Sequence, residues 1–547
     1  LGIGPARSAR SGPIEVPDLP ADAPATEGRR LGKAIATVRR TISQLRTRTA
    51  REVGEAEAAI FDAHQLLLDD AELLDKARHL VDGGASAPAA WSTAVSELAA
   101  EFAALPDPYL QARAADVRAV GDQVLRAMLG SAAAGTQSSG VLIADDLTPA
   151  EAAELVPDQV AAVLMAFGSP HAHNVILLRA KGIPVVVGAG QAVLTITEGT
   201  VVAVDGTRGD FLVDPPAADQ EQFRDRVEAL ARRQQAAQLR AGEPAVTCDG
   251  VVVGVGANIG SVDDARAAAA HGADFAGLVR TEFLFLGRPD APGVDEQVAV
   301  YRKIAESLDG RRVTLRTLDV GGDKPLEFLP TAAEVNPFLG VRGLRLSLVH
   351  PDLLADQLLA MALVAQHTPV SIMFPMVSTV DELLTARAMV DQAVASAGRG
   401  RPDQLQVGMM VEVPAAALKS ASFARYVDFM SIGTNDLTQY ALAADRGNDA
   451  VAPIGDSFDP GLLQLIRATC DGARGLASVS VCGEFAADER AAGLLLGLGV
   501  DALSVTPPAI PGTKEALRAV DFGAATVAAQ RALEADSAGT VRRIMEG

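Results

Sequence analysis

Apolar positions along this chain change their spacing more than once, and the changes divide it. Ile35, Val38, Ile42 and Leu45 recur at intervals of three and four. That spacing puts them on one stripe of a helix, ready to meet another helix. The pattern continues over 55–70 and returns over 89–104 and 109–129. Four helices with short links predict an α-helical bundle or a pair of hairpins. Ahead of them, residues 1–28 are rich in Gly, Pro and Ala, with one strand expected at 14–16.

After residue 139 the apolar runs shorten. Those at 141–144, 160–166, 185–187, 193–196 and 201–204 read as strands. Thr148 followed by Pro149 reads as the capped start of a helix between the first two. This predicts an α/β domain, with the helical unit inserted between its first strand and the rest. Residues 219–242 are charged, with few apolar positions, and predict a solvated linker helix. Beyond Cys248 strands alternate with helical segments. The strand candidates are 252–255, 275–279, 313–316, 370–374, 407–412, 427–431, 479–482 and 502–505. Eight such strands predict a (β/α)8 barrel, with an insertion between the third and fourth, and its active site at the C-terminal strand ends.

Composition narrows the class. Apolar residues at 49% and charged residues at 21% suit a globular protein with sizeable cores. The length suggests roughly two to four domains. A net charge of -21 argues against general nucleic-acid binding. Cys248, Cys470 and Cys482 show no C-x-x-C spacing, which argues against a disulfide framework or structural zinc and for a reducing compartment. No apolar run reaches about 18 residues, and no signal-peptide pattern opens the chain. A cytoplasmic protein without membrane insertion is expected. The start at Leu1 rather than Met suggests that a few residues have been removed.

Two places carry candidate chemistry. Residues 168–188 read GSPHAHNVILLRAKGIPVVVG. Gly-Ser-Pro favours a turn or helix start. His171 and His173 follow, and an apolar run carrying Arg179 ends at Gly182 and Pro184. A helix N-terminus suits an anion, and a neutral imidazole there is a candidate nucleophile toward phosphorus. A surface loop with two incidental histidines fits the residues equally well. The second place is the rim of the barrel. Its strand ends and insertion offer Arg280, Arg316, Asp319, Lys324, Arg342, Arg345, Glu412, Asn435, Asp436, Arg446, Cys482 and Glu484. A structural salt bridge accounts for any one arginine, but several on one rim call for a phosphate or carboxylate. Glu412 and Asp436 suit a hard cation such as Mg2+. The Cys482 thiol could deliver a proton.

Residues 168–188 resemble the phosphohistidine signature of the phosphoenolpyruvate (PEP)-utilising enzyme family, G-G-x-T-S-H-x-A-I-x-A-R followed by G-I-P-A-V-V-G. Its reactive histidine precedes the arginine by six residues and the proline by eleven, and both counts select His173. Ser169, His171, Ala172 and Leu178 depart from the pattern. His171 stands where the family has Thr and could donate a hydrogen bond to a phosphoryl oxygen. GLVRTEFLF, RTLDVGGDKPL, NPFLGVRGLR, VEVPAAA, SIGTNDLTQYALAADRGN and VCGE resemble the PEP-binding barrel of the Enzyme I family of the bacterial phosphotransferase system. FDAHQLLLDD and YLQARAADVRAVG resemble that family's docking domain for the phosphocarrier protein HPr, so the likeness covers nearly the whole chain.

The resemblance implies a multidomain α/β architecture. Residues 1–28 and 136–218 would form a swivelling phosphohistidine domain, 29–135 an inserted helical HPr-docking domain, 219–246 a linker helix and 247–547 a PEP-binding TIM barrel that also dimerises. It implies that Arg280, Arg316 and Arg342 bind the PEP phosphate and carboxylate. Lys324 and Arg446 would assist the transferring group, and Asn435 would help hold it. Glu412 and Asp436 would carry Mg2+. Cys482 would protonate C3 of the enolate as pyruvate forms. The phosphoryl group would pass from PEP to His173 and on to HPr, the first step of sugar uptake by that system, in a homodimer. Two other readings compete with this one. A pyruvate phosphate dikinase or PEP synthase needs an ATP-grasp domain for which the chain has no room. A relay protein that has lost catalysis has only the altered loop in its favour.

Overall fold

β1 (Gly2–Ser8) runs parallel to β2 (Gly140–Ala144), with Ala6 opposite Val141. The described residues between them are mostly helical, so the insertion expected from the pattern is present. It begins, however, after a strand that the pattern did not mark. Residues Gly2–Ser8 read GIGPARS, too small and polar to stand out as a strand. Of the strand expected at 14–16, Ile14 and Glu15 lie outside the described residues and Val16 has no regular structure. The computed structural model describes residues 1–8, 16, 21–52, 55–104, 108–130, 140–168, 173–321, 326, 328–329, 334–446, 448 and 451–545. The chain divides into two units, Leu1–Ala231 and Arg232–Gly547.

Among the described residues between β1 and β2, five helices stand where four were expected: α1 (Pro24–Glu52), α2 (Glu55–Leu68), α3 (Ala71–Asp82), α4 (Ala87–Ala103) and α5 (Pro108–Leu129). The extra one is α3. Asp70 does not close the preceding helix but caps the next, its carboxylate accepting the Leu73 N–H at 2.8 Å. Ile42, Phe61, Leu68 and Trp91 are fully buried at the centre. The Trp91 indole N–H donates to the Gly121 carbonyl at 3.0 Å. A Cβ at Gly121 would lie 2.4 Å from Val95 Cγ1, so α4 and α5 approach too closely there for any side chain. The same core continues through Leu142, Val163, Met165 and Leu178 onto one face of the sheet.

That sheet has six strands in the order β4-β3-β2-β1-β5-β6, with β3 (Val160–Met165), β4 (Val185–Val186), β5 (Val201–Asp205) and β6 (Asp210–Val213). β1 to β4 are parallel; β5 and β6 are antiparallel additions. The strand expected at 193–196 is absent. Gln191–Thr195 forms a 3-10 turn instead. Gly188 and Gly190, at φ 65° and 84°, turn the chain just before it, and only Val193 of the turn is buried. α6 (Pro149–Glu154) is closed by the reciprocal Thr148–Glu151 capping box. α7 (His173–Ala180) follows, and α8 (Ala217–Leu239), mostly exposed, crosses from the first unit to the second.

The second unit is a closed parallel barrel. Its strands are β8 (Val252–Ile259), β9 (Ala276–Arg280), β10 (Val313–Arg316), β11 (Val370–Phe374), β12 (Gln406–Val411), β13 (Phe429–Ile432), β14 (Ser478–Val481) and β15 (Ala502–Val505). β15 closes on β8 with Leu503 opposite Val255. A short β7 (Ala245–Val246) adds an antiparallel edge to β8. β10, β11 and β15 match the expected ranges residue for residue; the others differ at their ends.

Candidate active site

All but one of the charged groups clustered at the barrel mouth are delivered by the end of a strand or the turn after it, where the backbone is held by its neighbours in the sheet. β10 ends at Arg316, which is buried. Its Nη2 donates to Glu282 Oε1 at 2.7 Å, and its Nη1 lies 2.9 Å from Asp319 Oδ2. Glu282 comes from the turn after β9 and is itself buried. Arg342 enters from the insertion, just ahead of the helix Leu344–Val349. Its guanidinium donates to Asp319 at 3.3 Å and to Asp436 at 3.4 Å. Asp319 is therefore shared by both arginines. Asp436 lies in the first turn of the helix Thr434–Leu442, and Glu412 directly follows β12.

Carboxylates outnumber guanidiniums in this cluster, and the charges respond. Burial pushes Glu412 well above the usual carboxylate range, and the charges of Asp436 and Asp319 add to it against Arg316 and Arg342. Burial opposes the charge on Arg316 and Arg342, but the flanking carboxylates outweigh it and hold both above their ordinary range. A positive charge placed between Glu412 and Asp436 would relieve this repulsion. Both offer hard oxygen donors, which fit a cation such as Mg2+. Among the described residues no three His, Cys, Asp or Glu side chains gather into a metal cage.

Cys482 follows β14 and is buried, its thiol facing the Ile432 carbonyl at 3.6 Å. Burial pushes this thiol up to about 11, the Glu412 charge reinforces it, and Ser431, Arg316 and Arg280 oppose it. It therefore carries its proton at neutral pH. Arg280 ends β9 and is half-buried. Asn435 and Glu484 join two neighbouring loops: the Asn435 amide donates to Glu484 Oε1 at 3.0 Å, and the Glu484 N–H donates to Asn435 Oδ1 at 2.9 Å.

The structure does not bring all the expected residues together. Arg446 is exposed beyond the helix Thr434–Leu442, and among the described residues it is not joined to the cluster. Arg345 donates to the Gly340 carbonyl and to Ser378 Oγ, so it braces the insertion loop instead of facing the rim. Lys324 lies outside the described residues.

In the first unit His173 is the first residue of α7; His171 and Ala172 lie outside the described residues. Gly168, at φ 102°, turns the chain before it. The next residue, Asn174, is buried and ties the start of α7 to the loop after β2. Its amide donates to the Leu147 carbonyl at 2.6 Å and to Asp146 Oδ1 at 3.0 Å. Sequence reading passed over Asn174, Glu282 and Met376. Asn174 had a signal, a polar residue heading an apolar helix. Glu282 had one too, adjoining Arg280 in RTEF. Met376 had none: it matters through its backbone N–H, which donates to Glu412 Oε1 at 2.6 Å.

Three family matches tile the chain. The PEP-utilising enzyme N-terminal family matches residues 1–113, the mobile domain 136–209 and the PEP-binding domain 233–522. The chain belongs to the PEP-utilising enzymes. More particularly, it is similar to the phosphoenolpyruvate-protein phosphotransferase of Haloferax volcanii, 40% identical over 91% of this chain and 88% of that protein. The phosphotransferase of Bacillus subtilis is 36% identical, over 93% of this chain and 91% of its own length. A multiphosphoryl transfer protein of Xanthomonas campestris pv. campestris is 40% identical over 100% of this chain, which spans 65% of that longer relative. No helix among the described residues is long and apolar enough to cross a membrane.

Proposed function

We propose that this protein transfers the phosphoryl group of PEP to His173 and passes it on to the phosphocarrier HPr. The observation that carries this is the barrel mouth, where buried Arg316 and Arg342 share Asp319 and Arg316 lies within electrostatic reach of a protonated Cys482. A small phosphorylated acid needs that set: guanidiniums for its anionic oxygens and a neutral acid for its carbon.

In the proposed step the imidazole nitrogen of His173 attacks phosphorus, and the bond from phosphorus to the enol oxygen breaks. The electron pair stays on enolpyruvate, C3 takes the proton of the Cys482 thiol, and pyruvate leaves. The thiolate is reprotonated from water. Arg280, Arg316 and Arg342 hold phosphate and carboxylate, Asn435 holds the transferring group, and Lys324 and Arg446 assist it. Glu412 and Asp436 would hold Mg2+, which when bound neutralises phosphoryl and enolate oxygens. Their two oxygen-donor side chains and the excess of negative charge around them support this. We assign the helical segment α1 to α5 to HPr docking, α8 to the linker between swivelling domain and barrel, and the barrel to dimerisation; a cytoplasmic location goes with this reading. The relatives' printed names and the three family matches support it.

The test is isotope exchange between labelled pyruvate and PEP with Mg2+ and no HPr. Exchange is expected, because formation of phosphorylated His173 is reversible without an acceptor. A folded protein that releases no label into PEP, with or without HPr, overturns the reading.

A further inference from the structure

Glu412 is pinned by a residue whose backbone is under strain. Met376 follows β11, is 2% exposed, and has φ 55°, a left-handed conformation that side chains other than glycine rarely adopt. Such a residue costs conformational energy and persists where its surroundings over-determine it. The conformation aims the Met376 N–H into the barrel mouth, where it donates to Glu412 Oε1 at 2.6 Å. The second oxygen is treated differently. A Cβ built at Gly433 would lie 3.0 Å from Glu412 Oε2, so the missing side chain there leaves Oε2 uncrowded. Gly433 has an ordinary negative φ of -86°, so space explains the glycine here better than backbone freedom does. One carboxylate oxygen is thus occupied and the other kept clear.

We propose that Met376 is a positioning residue for the cation site. Its left-handed N–H occupies Oε1 and fixes the carboxylate plane, so that Oε2 is the oxygen offered to a divalent cation. The proposal rests on the reading of Glu412 as a cation ligand. It makes a claim that ordinary packing does not. What matters at position 376 is the backbone conformation, not the volume of the side chain.

The two roles rank substitutions in opposite order. Gly and Asn enter the left-handed region easily, whereas a β-branched residue resists it. Binding of Mn2+ would be measured directly, from the free-ion paramagnetic signal. The whole 547-residue chain would carry His173→Ala, so that PEP included in the assay is not consumed. Met376→Gly and Met376→Asn are expected to keep Mn2+ affinity within about threefold, although Met376→Gly lowers the melting temperature; Met376→Ile is expected to weaken it about tenfold or more. Tight Mn2+ binding by Met376→Ile, or loss of binding in Met376→Gly, overturns the proposal and leaves a packing role. If melting shows that Met376→Ile does not fold, Met376→Gly and Met376→Asn decide, and weak binding by either overturns it. Glu412→Gln separates the two layers. Undiminished Mn2+ binding there overturns the cation reading itself, whereas loss there with tolerance of Met376→Ile overturns only the role of Met376.

Discussion

At the barrel mouth Arg316 and Arg342 are buried, share one aspartate and sit among further carboxylates; at the start of α7 the tie to the loop behind is a neutral amide, Asn174. The contrast follows from what each place must do in the proposed transfer. The barrel receives a small polyanion and must meet it in one geometry each time. Charges fixed by other charges, on strand ends, cost no reorganisation when the substrate arrives. The histidine must accept a phosphoryl group and then give it up. Fixed cations around it would hold the group and deepen the well it has to leave. Hydrogen bonds from the neutral Asn174 amide, to the Leu147 carbonyl and to Asp146, place the helix without adding a cation.

Removing the acceptor has the largest effect. His173→Ala should cut acid-labile phosphate incorporation from PEP by more than about 10^4-fold, as loss of a covalent nucleophile does. Peptide mapping of the unsubstituted protein should place the phosphate on residue 173. Phosphate found on His171 would move the acceptor two residues and remove the register that the spacings to Arg179 and Pro184 select.

The next effect belongs to the barrel alone. Cys482→Ser should slow pyruvate formation by about 10^2- to 10^4-fold, the range of a lost general acid. It should spare phosphoryl return from phospho-HPr to His173, which does not use the barrel. The pH profile carries a sign. The thiol is raised from 9.0 to about 11, so its proton stays on as pH climbs through the ordinary thiol range. Its acid role is therefore retained across that range and lost only as pH passes about 11. A thiol that reacts with iodoacetamide near neutral pH while PEP turnover continues would contradict both burial and role. Cys248, exposed, and Cys470, buried with its thiol raised to about 12, serve as controls whose replacement leaves turnover intact.

What the sequence made legible differs between the two regions for physical reasons. A barrel strand buried on both faces is a largely apolar run, and β10, β11 and β15 could be bounded from that signal even with Thr314, Ser371 and Ser504 inside them. β1 could not, because GIGPARS pairs through its backbone and buries little side chain beyond Ala6. The break between α2 and α3 is short, so Asp70 looked like an ending when it is a cap. At the mouth, residue type at a strand end or in the insertion was enough to put forward Arg316, Arg342, Glu412 and Asp436, which the structure gathers. Their mutual pairing was not legible, since it depends on side chains from separate strands and an insertion. Arg446 follows the same helix as Asp436 but is exposed, apart from the gathered side chains. Met376 was beyond reach, because composition does not signal a left-handed methionine.

The smallest effect tests whether the start of α7 is held by hydrogen bonds or by shape. Asn174 is buried and donates both to the Leu147 carbonyl and to Asp146 Oδ1. Asn174→Ala deletes both donors and leaves a buried carbonyl without this partner, a change of about 1–3 kcal/mol. Thermal unfolding should detect it in the first unit. Phosphoryl transfer from phospho-HPr to His173 should slow by about tenfold or less, since the nucleophile remains but its helix start is less fixed. PEP binding at the barrel should not change. Asn174→Asp has nearly the same shape, yet it cannot donate when ionised and sets a charge against Asp146, 3.0 Å from the present amide. Hydrogen bonding predicts that Asp is worse than Ala, whereas shape predicts that Asp is tolerated. If the Asp variant melts and accepts phosphate like the unsubstituted protein, the neutral tie is not what holds His173, and the contrast drawn with the barrel loses its basis.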